Sequence, residues 1–224
     1  MTFQGFGKDT VAFLAGLSAH NDKAWFDAHR ADYDAHFVAP ALAFAEAVGA
    51  KLQALDPDVV IEPRVNGNLF RINRDVRFSK DKTPYKDHLD MWFWAGERNR
   101  GSGFFLRVTP THVLLGAGLH MLQKADLDAY REAVADDARG VALTKALERC
   151  ERAGYRVDGS HYKKVPAGYA ADHPRAALLR HAYLAVVHEQ PHPSELGSKA
   201  FVTWCAKHWK AMLPVHTFMR EVLS

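Results

Sequence analysis

The residues best suited to chemistry lie together, in the run Arg71-Ile72-Asn73-Arg74-Asp75-Val76-Arg77-Phe78-Ser79-Lys80-Asp81-Lys82-Thr83-Pro84-Tyr85-Lys86. It sets six cations against two acids within sixteen residues, a local charge of +4, while the whole chain carries +3. The basic character therefore belongs to one strip and not to the surface at large. Arginine forks and lysine ammonium groups beside aromatic and turn residues suit an oxyanion, phosphate or carboxylate. Arg71, Arg74, Arg77 and Lys86 are the candidates to hold it. Asp75 would orient an arginine, Tyr85 would line the site, and Lys80 and Lys82 add positive charge.

Drawn as an extended segment, residues 70–78 alternate between two faces. Phe70, Ile72, Arg74, Val76 and Phe78 fall on one, and Arg71, Asn73, Asp75, Arg77 and Ser79 on the other. A guanidinium on the apolar face must be paired or must point into a polar cleft, since an unpaired buried charge costs several kcal/mol. From Ser79 to Lys86 the chain must turn, because Pro84 fixes its own backbone and biases Thr83 away from helix. The bland reading of the same residues is a solvated basic loop after an edge strand.

A second loop, Tyr162 to Pro174, carries two prolines, two tyrosines and Gly168, with His161 and His173 bracketing it. Lys164, Tyr169 and His173 join the candidate ligand-binding set. If this loop folds beside the first, one cleft would hold Arg, Lys, Tyr and His, able to bind a phosphate ester and to supply a general acid. Three functional readings follow. The first is a site for a small anionic ligand, with or without catalysis. The second is a contact surface for nucleic acid or an acidic partner, which is not favoured. The third is structural, with Arg74 and Arg77 as internal ion-pair braces. No catalytic residue, cofactor or metal is indicated.

Other constellations carry less. His188-Glu189-Gln190-Pro191-His192 has the written form of a zinc peptidase motif, but Pro191 within it and Pro193 after it rule out the continuous helix that the chemistry needs. It reads as a proline-rich turn. Gly116-Ala117-Gly118 lacks the third glycine of a dinucleotide loop and ends a strand instead of opening a helix. A helix packed tightly against these glycines is the expected reason for them. Trp92 and Trp94 share a strand face with His88 and Asp90 and are expected under a helix, because large aromatics are usually buried. Ser79 and Ser102 have no sequence-recognisable base. Cys150 and Cys205 read as core thiols on helices.

The elements that position these residues can be read from periodicity. Thr10 to Leu17 is a short helix. Asn21 is an N-cap for a helix running from Asp22 toward Val38, with Trp25, Phe26, Tyr33 and Phe37 in its stripe. Pro40 should break or kink it, and a further helix runs to Leu55. Strands are expected at 59–62, 68–74, 88–95, 103–109 and 112–119, the last two joined by a tight hairpin at Pro110-Thr111. Helices are expected at 125–135, 141–153, 176–184 and 199–213, with Pro214 interrupting the last. The fold class is α+β: a central, mainly antiparallel sheet of about five strands flanked by N-terminal and C-terminal helices. Residues 1–224 would form a single domain, with helices over 10–55, sheet over 59–119 and helices over 125–222.

The totals agree with a globular protein. Apolar residues make up 48% and charged residues 25% of the 224, enough for a substantial core. The isoelectric point near 8.8 is below that of a dedicated nucleic-acid domain. Two cysteines cannot build a disulfide framework. The first residues lack the basic start and apolar run of a signal peptide, and no apolar stretch approaches the length of a bilayer span. A cytoplasmic location without membrane attachment is the expectation. Oligomeric state is not legible.

The chain also resembles a family. Arg-Asp-x-Arg-Phe-Ser-Lys-Asp-Lys-x-Pro-Tyr-Lys, from Arg74 to Lys86, is similar to the hallmark of the domain of unknown function 2461 family of bacterial and fungal proteins. Phe3-x-Gly5-Phe6, Phe13-Leu14-x-x-Leu17, Asn21-x-x-x-Trp25-Phe26, Gly116-Ala117-Gly118 and the Tyr162-to-Pro174 loop also resemble it. Asn73 departs from the family, where an aromatic is more usual, which argues against stacking at that position. The resemblance implies family membership, one domain and a cytoplasmic location, and it carries no activity.

Overall fold

Helix α1 (Lys8–Ala19) buries Thr10, Phe13, Leu14 and Leu17, the three- and four-residue spacing of a single face. Helix α2 (Lys23–Ala28) is capped by Asp22, whose side chain accepts from the Trp25 amide. The expected cap, Asn21, has a different task, described below. A short turn, α3 (Arg30–Asp32), leads into a π-helical turn over Tyr33–Val38 and then α4 (Ala39–Gln53). Pro40 does not break this run. The wide turn before it lets the Ala39 amide donate to the Asp34 carbonyl, which absorbs the missing proline donor. The run Arg30–Gln53 reaches the length and mean hydropathy, 1.2, of a bilayer span, contrary to the sequence reading. Phe37, Ala41, Phe44, Ala45, Val48 and Leu52 on it are nonetheless buried within the fold.

The structure is a computed structural model, which describes residues 2–98 and 100–224. An open antiparallel sheet of five strands is flanked by N-terminal and C-terminal helices, the α+β class expected. The strands are β1 (Leu89–Trp94), β2 (Gly103–Val108), β3 (His112–Leu119), β4 (Arg156–Ser160) and β5 (His181–Pro191), in the order β1-β2-β3-β5-β4. Between them lie α5 (Lys124–Ala135), α6 (Asp137–Arg152) and α7 (Ala176–Leu179), and α8 (Ala200–Leu223) follows. The Pro110-Thr111 hairpin is present, closed by the Thr109 amide on the His112 carbonyl at 2.9 Å.

Membership of the sheet differs from expectation. Residues 59–62 and 68–74 make only isolated bridges, Leu69 with Met91 and Asn73 with Tyr85. Buried Asn68 explains this. Its amide donates to the Val60 and Trp92 carbonyls, both at 3.0 Å, and its carbonyl accepts from the Glu62 amide at 2.5 Å. A side chain thus takes over part of the pairing, beside the two backbone bonds that remain, from the Phe70 amide to the Asp90 carbonyl at 3.0 Å and from the Trp92 amide to the Asn68 carbonyl at 2.9 Å. Strands β4 and β5 lie within the 125–222 region read as helical, β4 after the helix expected at 141–153 and β5 overlapping the end of the one expected at 176–184. In β5 Leu184 and Val186 are buried while Tyr183, Ala185 and Val187 are half-exposed, the period of two that marks a strand. Helix is confined there to α7. His188, Glu189 and Gln190 belong to β5 and not to a turn. Gly118, with φ of +126°, answers the backbone of β5: a Cβ there would lie 2.3 Å from the Leu184 carbonyl oxygen. Helix α8 runs through Pro214, which sits on its exposed face while Met212, Val215, Phe218 and Met219 hold the buried one.

Contacts divide the chain into two compact units, each of three segments. The first comprises Met1–Phe93, Phe105–Leu115 and Glu189–Lys207. Its core is aromatic, with Phe44 meeting Phe3, Phe6 and Phe201 at ring separations of 5.2–5.7 Å. The second comprises Trp94–Phe104, Gly116–His188 and His208–Ser224. Trp209 and Tyr130 are fully buried in it, with Phe104 against Trp209 and Phe218 against Tyr130.

Candidate functional site

The basic motif belongs to the first unit and forms a narrow two-armed loop. Its arms pair through the Arg74 amide on the Pro84 carbonyl at 2.9 Å and the Lys86 amide on the Ile72 carbonyl at 2.8 Å. Asn21 clamps one arm from outside. Its amide donates to the Tyr85 carbonyl at 2.9 Å, and its carbonyl accepts from the Tyr85 amide at 3.0 Å. Phe26 stacks on the Tyr85 ring at 4.3 Å, which adds about 1 kcal/mol beyond area burial. Asn21 and Phe26 of the N-terminal motif thus hold Tyr85 of the basic motif. Tyr85 is buried and serves as the anchor of the loop.

The two-faced strand drawn for 70–78 does not form. Of its apolar face only Ile72 is buried, and Phe78 is 94% exposed at the tip. Arg74 donates to Asp81 at 2.6 Å and to both the carbonyl and the hydroxyl of Thr83. Arg77 grips Asp75 with two nitrogens, at 2.9 and 2.7 Å. The Arg77 contacts push the Asp75 carboxyl down to about 2. The Thr83 amide, then Arg74, do the same for Asp81, also to about 2. Both arginines therefore brace their own loop. Lys82 caps the Val76 carbonyl at 2.9 Å. Arg71 and Lys80 are exposed and make no hydrogen bond or ion pair among the described residues.

Behind the loop, strands β1 and β2 add residues that the sequence reading left out. Buried Asp90 receives two hydrogen bonds from Arg107 across the strands, at 2.7 and 2.9 Å. His88 bridges two acids, with Nδ1 2.9 Å from Asp87 and Nε2 3.2 Å from Asp90. Burial pulls the Asp90 carboxyl upward, but hydrogen bonds from His88 and Arg107 prevail and hold it below the usual range. Lys86 comes into this cluster, 3.9 Å from Asp90 and 4.8 Å from the Phe70 ring centre. Its side chain is only 22% exposed. Burial lowers the ammonium pKa against the pull of Asp90, and Arg107 and Arg71 lower it further. The only signal for this cluster in the sequence was the shared strand face of His88 and Asp90.

The Tyr162-to-Pro174 loop belongs to the second unit. The Arg131 guanidinium of α5 lies 5.3 Å from the Tyr162 ring centre. Burial raises the Tyr169 phenol. His173 Nδ1 accepts from the Arg175 amide at 3.0 Å, so it shapes the turn before α7. Lys164 is exposed. The contacts described above for residues 71–86 lie within the first unit, and those for 162–174 within the second.

The remaining constellations make their contacts inside the fold. His188 stacks on His208 at 4.4 Å, and His192 Nε2 lies 2.9 Å from the Thr109 carbonyl oxygen. Among the described residues no group of three His, Cys, Asp or Glu could hold a metal ion. Ser102 does have a histidine, His216 at 3.0 Å, but both are fully buried, which closes the pair to substrate. Both cysteines are buried, with burial pushing their thiols up. Trp94 is buried and Trp92 half-buried. A cleft of about 470 Å³ opens between Phe3, Lys51 and Lys199 and includes no residue of the basic motif.

An open antiparallel sheet flanked by N-terminal and C-terminal helices defines an α+β protein, and the self-braced basic loop with the mixed-charge cluster behind it is its candidate site. Residues 9–218 match the family described as conserved hypothetical protein (DUF2461), and the chain belongs to that family. No curated protein matches it.

Proposed function

We propose that the first unit binds a small phosphate- or carboxylate-bearing ligand, held by Arg71 and Lys86 beside Arg107. The observation that carries this reading is Lys86. It is a mostly buried ammonium whose ion-pair partner among the described residues, Asp90, already gives both oxygens to Arg107. A desolvated ammonium that shares its counter-charge with a second cation favours an anion from outside. Because Lys86 titrates below its unfolded value, its charge costs stability at neutral pH, and that cost fades as pH rises through the lowered pKa. A bound anion offsets the same cost. Arg74, Asp75 and Arg77 then serve to shape the loop, with Lys80 and Lys82 adding attraction at its tip. Nothing in the reading requires a reaction.

The test is a thermal-shift screen against phosphomonoesters, nucleotides and dicarboxylates. A ligand at a hundred times its Kd adds about 2.7 kcal/mol, or about 5–10 °C for a chain of this size. Lys86→Met should fold normally and lose that shift. A shift that persists undiminished in Lys86→Met, or no shift with any compound, would overturn the proposal.

A further inference from the structure

Two arginines of the second unit lack the partners their burial calls for. The Nε atoms of Arg131, on α5, and of Arg180, after α7, are fully buried and have no hydrogen-bond partner among the described residues. The Arg180 side chain has no ion pair among the described residues either. Arg131 has one carboxylate, Asp128, at 3.8 Å, and that acid is already bonded to Lys124 at 2.7 Å. The Arg131 side chain is only 14% exposed.

Tyr162 links the two arginines. Its ring lies under the Arg131 guanidinium, and its amide donates to the Arg180 carbonyl at 2.9 Å. The packing of α5 on α7 brings their two segments together. Tyr130, next to Arg131, donates to the carbonyl of Leu178, two residues before Arg180, at 3.2 Å. Lys163 and Lys164 follow Tyr162 on the loop, exposed and without a hydrogen bond or ion pair among the described residues. Buried polar groups without partners are rare in native proteins and call for a specific explanation. A buried guanidinium N–H without an acceptor is such a group.

We infer that Arg131 and Arg180 form a second oxyanion site, closed on one side by Tyr162, that takes the phosphate group of a phosphomonoester. Two guanidinium groups match the charge of a phosphate dianion, and because each Nε is closed to solvent, the two forks must turn outward to meet it and gain there the acceptor they lack. Tyr162 presents an aromatic wall to whatever the phosphate carries. This site is independent of the one assigned to Lys86, since it shares no residue with it.

The experiment is a titration of the intact protein with inorganic phosphate and, separately, phenyl phosphate, followed by the arginine Nε–H signals in nitrogen-15 spectra at matched ionic strength. Arg131→Lys and Arg180→Lys assign the two signals. Both should move together and saturate, and they should do so equally in Lys86→Met. Tighter saturation by phenyl phosphate marks an ester as the ligand, and equal saturation marks free phosphate. As a second readout, Arg180→Met should lose the phosphate-induced rise in Tm while its Tm in phosphate-free buffer stays level or increases. The inference fails if neither Nε–H signal moves on adding phosphate. It fails equally if Arg180→Met lowers the phosphate-free Tm by several degrees with the phosphate response intact, since Arg180 would then be a brace.

Discussion

At the scale of single residues, the candidate site separates arginines by what they hold. Arg77 and Arg74 grip exposed acids of their own loop, an arrangement that contributes little to global stability. Arg107 instead neutralises Asp90, which is buried. Its removal strands a carboxylate, so Arg107→Ala should cost about 3 kcal/mol in urea denaturation, toward the low end for a buried pair because Arg107 itself is partly solvated. Asp90→Asn in the same chain should recover much of that loss; no recovery would mean that Arg107 acts through packing. Arg77→Ala should leave the midpoint unchanged. The sequence marks this loop by its charge but does not show this division of labour. Which arginine meets which acid depends on a turn that brings Asp81 back to Arg74, and on a strand register that sets Arg107 opposite Asp90. Spacing along the chain contains neither. Asn21 shows the same limit: it satisfies every rule for a helix cap, and Asp22 next to it takes the role because Asn21 is occupied by Tyr85.

At the scale of elements, the N-terminal helices and the 103–119 hairpin were legible because periodicity and turn residues agree there. Strand β5 was not, since alanine and leucine fit helix and strand alike, and its place in the middle of the sheet is a long-range fact. Strand β4 is short and polar, with too little pattern to stand out. Helix α8 shows tertiary packing overriding a local breaker. Pro214 removes one backbone bond and crowds the preceding turn, at a cost of about 3 kcal/mol in a helix interior. The buried face on either side of it carries the helix on to Leu223. Pro214→Ala should therefore stabilise the protein. Restoring the bond is partly offset by the greater freedom alanine gives the unfolded chain, so the expected gain is about 2 kcal/mol, read as a higher Tm. A loss of stability would show that α8 needs the bend the proline imposes.

At the scale of the whole molecule, charge decides between a small ligand and a polymer. The net charge of +3 is concentrated in one loop, and within that loop Arg74 and Arg77 are already matched by Asp81 and Asp75. Arg71, Lys80, Lys82 and Lys86 remain to meet phosphates, and Lys86 shares Asp90. Four contacts to a single strand give a salt exponent of about −3, so raising salt from about 50 to about 200 mM should weaken oligonucleotide binding about fifty-fold. That leaves negligible affinity at physiological ionic strength. A ligand seated against half-buried Lys86 is screened far less, and its affinity should fall less than about fivefold over the same range. Anisotropy with a labelled 15-nucleotide thymidine oligomer, set beside calorimetry with a phosphomonoester, separates the two. Strong oligomer binding at the higher salt, lost when Lys80 and Lys82 become glutamine, would move the function to the surface of the loop. A flat oligomer response with a persistent small-ligand signal would keep it at Lys86, where burial and not the number of charges sets the affinity.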